Sequence, residues 1–207
     1  MQCMAAPFAV QVGEARIGLD APSGFSDTTF TASPRLQDLS ESLTPASNRI
    51  LLFALTDADL RRFTLGDQLD LRRYMIVVTP RGMERERVSE ASFRRFADES
   101  LAGLGQPPAE KDMMKYLDSR PVGTTNLLAE LRHDADVVSI LQGARAKGAR
   151  FFDRSTYLLS STTLLLLRGK ALSLSIFTQY DEPADLEWIR ATTTRWVDEL
   201  KRLNAPR

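Results

Sequence analysis

The chain has 207 residues, 43% of them hydrophobic and 26% charged, and its 27 basic and 27 acidic side chains cancel. That composition excludes a disordered chain, and the missing positive excess argues against general binding to nucleic acid or an anionic membrane. A single cysteine, Cys3, and a single histidine, His133, exclude an internal disulfide, a cysteine-based zinc or iron–sulfur cage and a multi-histidine metal site.

The first eight residues carry no charge and no apolar run of secretory length. The small residues Ala5 and Ala6 before Pro7 nevertheless look like the tail of an export-signal cleavage region. Residues 1–7 are therefore expected to be an N-terminal segment left from such a signal, with a periplasmic or exported location preferred to a cytoplasmic one. Residues 8–207 are expected to form a single α+β domain, long enough to bury a core without a metal or disulfide staple.

Residues 8–12 and 15–19 read as short strands around a turn at Gly13-Glu14. Ala21-Pro22-Ser23-Gly24-Phe25 closes that hairpin. Residues 26–48, rich in Ser, Thr, Pro and Asp, read as a long excursion with one strand turn near Thr28 to Thr31. Excursions of that length often carry function. The apolar run 50–55 predicts a buried strand, 57–63 a brief helical turn, and 71–78 another strand stopped by Pro80-Arg81-Gly82. Ser89 is placed to cap a helix that ends at Gly103 or Gly105, with Phe93, Phe96 and Leu101 on one face. Residues 111–117 predict a further helical segment.

Within 126–153 the spacing of Leu127, Leu128 and Leu131 permits a helical turn. Residues 137–141, rich in β-branched side chains, predict a strand. Gly143 to Gly148 reads as a flexible basic turn.

The final third is the clearest part. Residues 157–167 and 171–180 predict two strands around an Arg168-Gly169-Lys170 turn. Leu172, Leu174 and Ile176 alternate with Ser173 and Ser175 as in a half-buried strand. Charges in the middle of this apolar stretch would cost roughly 2.5–3.5 kcal/mol each in a bilayer, so it is read as a hairpin and no transmembrane segment is expected. Pro183 then opens a helix whose stripe of Leu186, Ile189, Trp196, Val197, Leu200 and Leu203 needs a sheet to cover. Strands before and after the helices, joined by hairpins, imply a mostly antiparallel sheet with helices packed on its faces.

Two segments carry a family resemblance. Ile17 to Phe25, with its Pro22-Ser23-Gly24-Phe25 turn, resembles the early strand and turn of PsbP-like proteins. Arg168-Gly169-Lys170, the alternating strand after it and Ala184-Asp185-Leu186-Glu187-Trp188 resemble the end of such domains in bacterial proteins of unknown role. The resemblance implies an α-β-α sandwich. It also implies a role in binding other proteins, as in a photosystem II extrinsic subunit and a nuclear-import factor that share that fold. No partner-binding motif carries over.

Candidate chemistry is sparse. His133 beside Asp134 and Asp136 is the one place where an imidazole adjoins carboxylates, which would suit a hydrolase-like general base. A solvated loop explains the same residues. Asp57, Asp59, Asp67 and Asp70 could gather a divalent cation, although capping and turn roles account for each of them. Arg145, Lys147 and Arg150 could hold an anion. Ser160-Ser161-Thr162-Thr163 lacks a nucleophile-elbow pattern and fits hydrogen bonding across a sheet. Trp188 and Trp196 fit core packing. The expectation is a non-enzymatic protein-binding or assembly domain, with no catalytic residue, no metal site and no cofactor. The alternatives are an enzyme using His133 with Asp134 or Asp136, and a small-ligand carrier with a pocket beneath residues 26–48.

Overall fold

The alternation after Gly169 builds the centre of the molecule. In the computed structural model, which describes residues 7–146 and 156–206, β8 (Thr156–Leu167) pairs from Leu158 onward with the whole of β9 (Lys170–Gln179). They lie inside a seven-stranded antiparallel sheet of order β3-β4-β5-β9-β8-β7-β6. The other strands of that sheet are β3 (Phe25–Asp27), β4 (Asn48–Thr56), β5 (Arg73–Pro80), β6 (Thr125–His133) and β7 (Val137–Ala146). A separate hairpin joins β1 (Phe8–Val12) to β2 (Ala15–Leu19) around Gly13 and Glu14. The helices are α1 (Pro34–Ser42), α2 (Asp57–Thr64), α3 (Glu90–Ala102), α4 (Met113–Asp118) and α5 (Pro183–Leu203), with one 3-10 turn at Arg81–Met83. The fold is α+β, with helices on both faces of the sheet.

Period-two alternation divides the sheet into two faces. Leu172, Leu174 and Ile176 of β9, Met75 and Val77 of β5, and Leu159 and Leu165 of β8 face a core closed by α5, α4 and the β1–β2 hairpin. Ile189, Trp196, Val197 and Leu200 are the buried apolar stripe of α5. On the other face Phe53, Leu55, Ile76 and Val78 meet Leu36 of α1 and Phe63 of α2. A β-bulge between Ile50 and Leu52 brings Ile50 onto this second face.

The turn between β8 and β9 is tighter than its sequence suggested. Arg168 (φ 52°) and Gly169 (φ 77°) form a two-residue connection with both residues left-handed, the primed-turn geometry that suits the twist of a hairpin. Lys170 is therefore the first residue of β9. It is buried, and its Nζ donates to Glu14 Oε2 at 2.9 Å and to the Glu86 carbonyl at 2.8 Å.

Three other expectations are corrected. Leu127, Leu128 and Leu131 belong to strand β6, not to a helical turn. Irregularities between Leu127 and Ala129 and between Glu130 and Arg132 break the period of two, so a bulged strand imitates helical spacing. Gly143 to Ala146 continue β7 between β6 and β8, and Lys147 and Gly148 lie outside the described residues. The absence of a side chain at Gly143 has a packing reason, since a Cβ there would sit 2.8 Å from Leu128 Cδ1. Finally, 26–48 is not one loop. It contains part of β3 and all of α1, which begins with Ser33 as N-cap and Pro34 at its first position. That Ser-Pro pair is a helix-start signal hidden in a segment whose composition reads as loop. The segment read as an export remnant lies, up to Ala6, outside the described residues.

Candidate functional site

His133 lies at the end of β6, and its environment does not match the catalytic alternative. Its Nδ1 is 3.2 Å from Glu130 Oε1 and its Nε2 is 3.1 Å from Asp98 Oδ1. Asp134 is taken by Arg132, which also binds Asp198 at 2.7 Å. Hydrogen bonding from Arg132 holds the Asp134 carboxyl below its ordinary range. Asp136 pairs with Lys201 at 2.7 Å. The three residues are thus drawn to three different partners, and no hydroxyl or thiol contacts His133 among the described residues. The arrangement ties α3 and α5 to the β6–β7 edge.

The acidic group is dispersed in the same way. Asp59 accepts from the Thr56 hydroxyl and the Asp70 N–H, Asp57 accepts from Ser26, and Asp70 lies 3.9 Å from Arg62. Among the described residues no group of three or more potential ligands could hold a metal ion. Arg145 binds Asp118 and the Arg120 carbonyl, while Lys147 and Arg150 lie outside the described residues. Ser161 bonds Thr193 at 2.6 Å and Thr163 bonds Ser139 at 2.8 Å. Both pairs lie on the α5 side of the sheet and join elements to one another. Trp196 is buried and donates to the Asp20 carbonyl at 2.8 Å. Trp188 stacks on Phe25 and lies under the Arg73 guanidinium, 4.0 Å from its ring centre.

That guanidinium belongs to a charge cluster built around a buried carboxylate. Asp185, buried in the first turn of α5, accepts from Arg73 at 2.8 Å and from the N–H groups of Asp181 and Glu182. Burial pushes its carboxyl upward, but those donors outweigh it and hold the group below the usual carboxylate range. The cluster anchors the helix start and has no unfilled position for a ligand.

Among the described residues, two concave regions stand out, both on the face opposite α5. One is a polar cavity of about 580 Å³ beneath α1. It lies under the excursion where a carrier pocket was expected. Its walls come from the stretch between Thr28 and Phe53, with Arg81 added from beyond β5.

The other is an apolar cleft of about 250 Å³ beside α3, floored by Ile140, Thr162 and Leu164. Helix α3 is lightly seated: only Phe93 and Ala97 of its thirteen residues are buried. Asp98 points toward His133 at the β6 edge. Phe96 therefore projects from the opposite side of the helix, over the cleft, and is 57% exposed. Between α3 and the α1–α2 layer, Ser173, Ser175 and Phe177 of β9 and Ser160, Thr162 and Leu164 of β8 form a half-buried floor. Leu158, 42% exposed, continues it, and Phe177 stacks on Tyr74 at 4.6 Å at its margin. Serines at alternate positions of β9 signalled the open face, and the helical spacing of Phe93, Phe96 and Leu101 signalled an apolar face on α3; what the sequence did not show is that this face would edge β8.

No family model and no curated protein matches the chain. Among solved structures, the Saccharomyces cerevisiae Ran-binding protein Mog1p is similar at 12% identity with a TM-score of 0.41, covering 96% of this chain and 94% of that one. A likeness this slight carries neither fold nor partner across.

Proposed function

We propose that the chain is a non-enzymatic protein-binding domain that receives an extended segment of another protein on the β9–β8 floor. The observation behind this reading is that floor: a strip of sheet along β9 and the adjoining side of β8, left open between α3 and the α1–α2 layer and edged by Phe96, Leu158 and Phe177. Size selects the kind of occupant. Ile76 and Val78 of β5 are already buried under the α1–α2 layer, and α3 lies against β8, so the open strip is centred on β9 and is about one to two strand spacings, roughly 5–10 Å, wide. A helix with its side chains is about 10–12 Å across. Extended chain fits where a helix does not. The half-buried hydroxyls of Ser160, Ser173 and Ser175 offer donors and acceptors to a peptide backbone. The adjoining cleft is below the usual volume of a metabolite pocket, about 300 Å³, and suits one apolar anchor side chain of a partner. A PsbP-like protein would also be expected to act through binding.

The test is selection of displayed dodecapeptides on the purified chain. Enriched peptides should alternate apolar and polar residues. They should lose at least roughly tenfold in affinity for Phe96→Asp and Leu158→Lys, the size of one hot-spot contact, and keep it for Leu65→Asp. Leu65 is 79% exposed and lies at the end of α2, so it controls for general stickiness. Equal losses in all three variants, or no enrichment, contradict the proposal.

A further inference from the structure

We infer that the polar cavity beneath α1 is a binding site for a small neutral saccharide. Its volume of about 580 Å³ falls within the range of small-molecule pockets. The site does not share residues with the floor just described.

The charges around it select an uncharged ligand. Arg49 is neutralised by Glu84 at 2.8 Å and also donates to the Gln11 carbonyl. The remaining ionic groups in the lining are Arg81 and Glu41. They are of opposite sign, and both are exposed, so water screens them. The cavity has no net charge with which to favour an anion or a cation.

The hydrogen-bonding capacity selects hydroxyls. Gln37 donates its amide to Glu41 at 2.9 Å, which leaves Gln37 Oε1 and the second Glu41 oxygen as acceptors. Asn48 donates to Thr44 Oγ1 at 2.9 Å, which leaves Asn48 Oδ1 to accept and the Thr44 hydroxyl to donate. Arg81 uses its Nε on the Ala46 carbonyl at 3.2 Å, so its terminal nitrogens can still donate. The lining thus holds both donors and acceptors. A carboxylate only accepts and an ammonium only donates, whereas each hydroxyl of a sugar does both. A polyol can satisfy the two sets together. Ile50 on the floor offers apolar surface to the carbon–hydrogen face of the ring.

The experiment is a titration of the intact, isotope-labelled chain followed by nitrogen–proton correlation spectra. Glucose and maltose are the saccharide probes; glucuronate, inorganic phosphate and serine are the charged comparators. The expected result is saturable movement of the Gln37 and Asn48 side-chain amide signals with at least one of the two sugars. Gln37→Ala, a change on the exposed side of α1 that leaves the core untouched, should weaken that binding roughly tenfold when read at Asn48, as loss of one hydrogen-bonding partner implies. Failure of both sugars to give saturable shifts overturns the inference. So does tighter binding of a charged comparator, or unchanged affinity in Gln37→Ala. The selected peptides can still bind in any of those cases, so this result is separable from the fate of the protein-binding proposal.

Discussion

Replacing Asp185 with asparagine tests how the first turn of α5 is held. The carboxylate accepts from Arg73 at 2.8 Å, more distantly from Arg72 at 3.4 Å, and from two backbone N–H groups. Asparagine keeps one oxygen for the backbone donors but loses the charge and turns an N–H₂ toward Arg73. The loss is then one charge-assisted hydrogen bond, worth about 1.5–3 kcal/mol. Arg73 is 30% exposed and can regain water, which favours a value of about 2 kcal/mol. For a chain of this length that lowers Tm by about 4–8 °C. The pH dependence gives a second readout. Because the folded pKa lies below its unfolded value, the carboxylate contributes its full stability above about pH 4 and loses it as pH falls through the folded pKa. The Tm difference between wild type and Asp185→Asn, followed by calorimetry, should therefore shrink from about pH 6 to about pH 3. A difference that stays constant or grows toward acid, or a variant as stable as wild type near neutrality, refutes this account of the helix anchor.

Gly169→Ala should cost about 1–2 kcal/mol in urea unfolding, because φ is +77° and a Cβ is strained there; Gly169→Asn, which tolerates that region, should cost less. Gly143→Ala places a Cβ 2.8 Å from Leu128 Cδ1 and 3.2 Å from Leu117 Cδ1, and overpacking of this kind costs about 1–3 kcal/mol, to be read from the denaturation midpoint at unchanged slope. Trp196→Phe leaves the Asp20 carbonyl without its indole donor and should lower stability by at least about 1 kcal/mol. Its fluorescence then reports Trp188 alone, which sits between Phe25 and Arg73.

The fold was legible where one face of an element is dry and the other wet. Leu172, Leu174 and Ile176 set the direction of β9, and the α5 stripe said that something must cover the sheet. Legibility failed where tertiary contacts alter the local period. The bulged β6 spaced its leucines like a helix, and Gly143 looked like a turn although leucine packing is what requires it. Helix α1 was concealed by Ser33 and Pro34, residues common to loops and helix starts alike. The candidate sites were harder still. His133, Asp134 and Asp136 are neighbours in sequence but bind different partners. Arg81 joins Gln37 and Asn48 at one cavity from a distant part of the chain, and Phe96 reaches the β8 floor only because Phe93 and Ala97 seat α3. A single sequence shows none of these meetings.

The most direct test of the protein-binding account is to map where a selected peptide sits. With the peptide carrying a spin label at its centre, backbone amide signals of Ser173 and Ser175 in β9 and of Ser160 and Thr162 in β8 should broaden, while those of the α5 residues across the sheet remain sharp. Broadening centred on α5 or on the β1–β2 hairpin, with β9 and β8 unaffected, would contradict the placement of the binding surface.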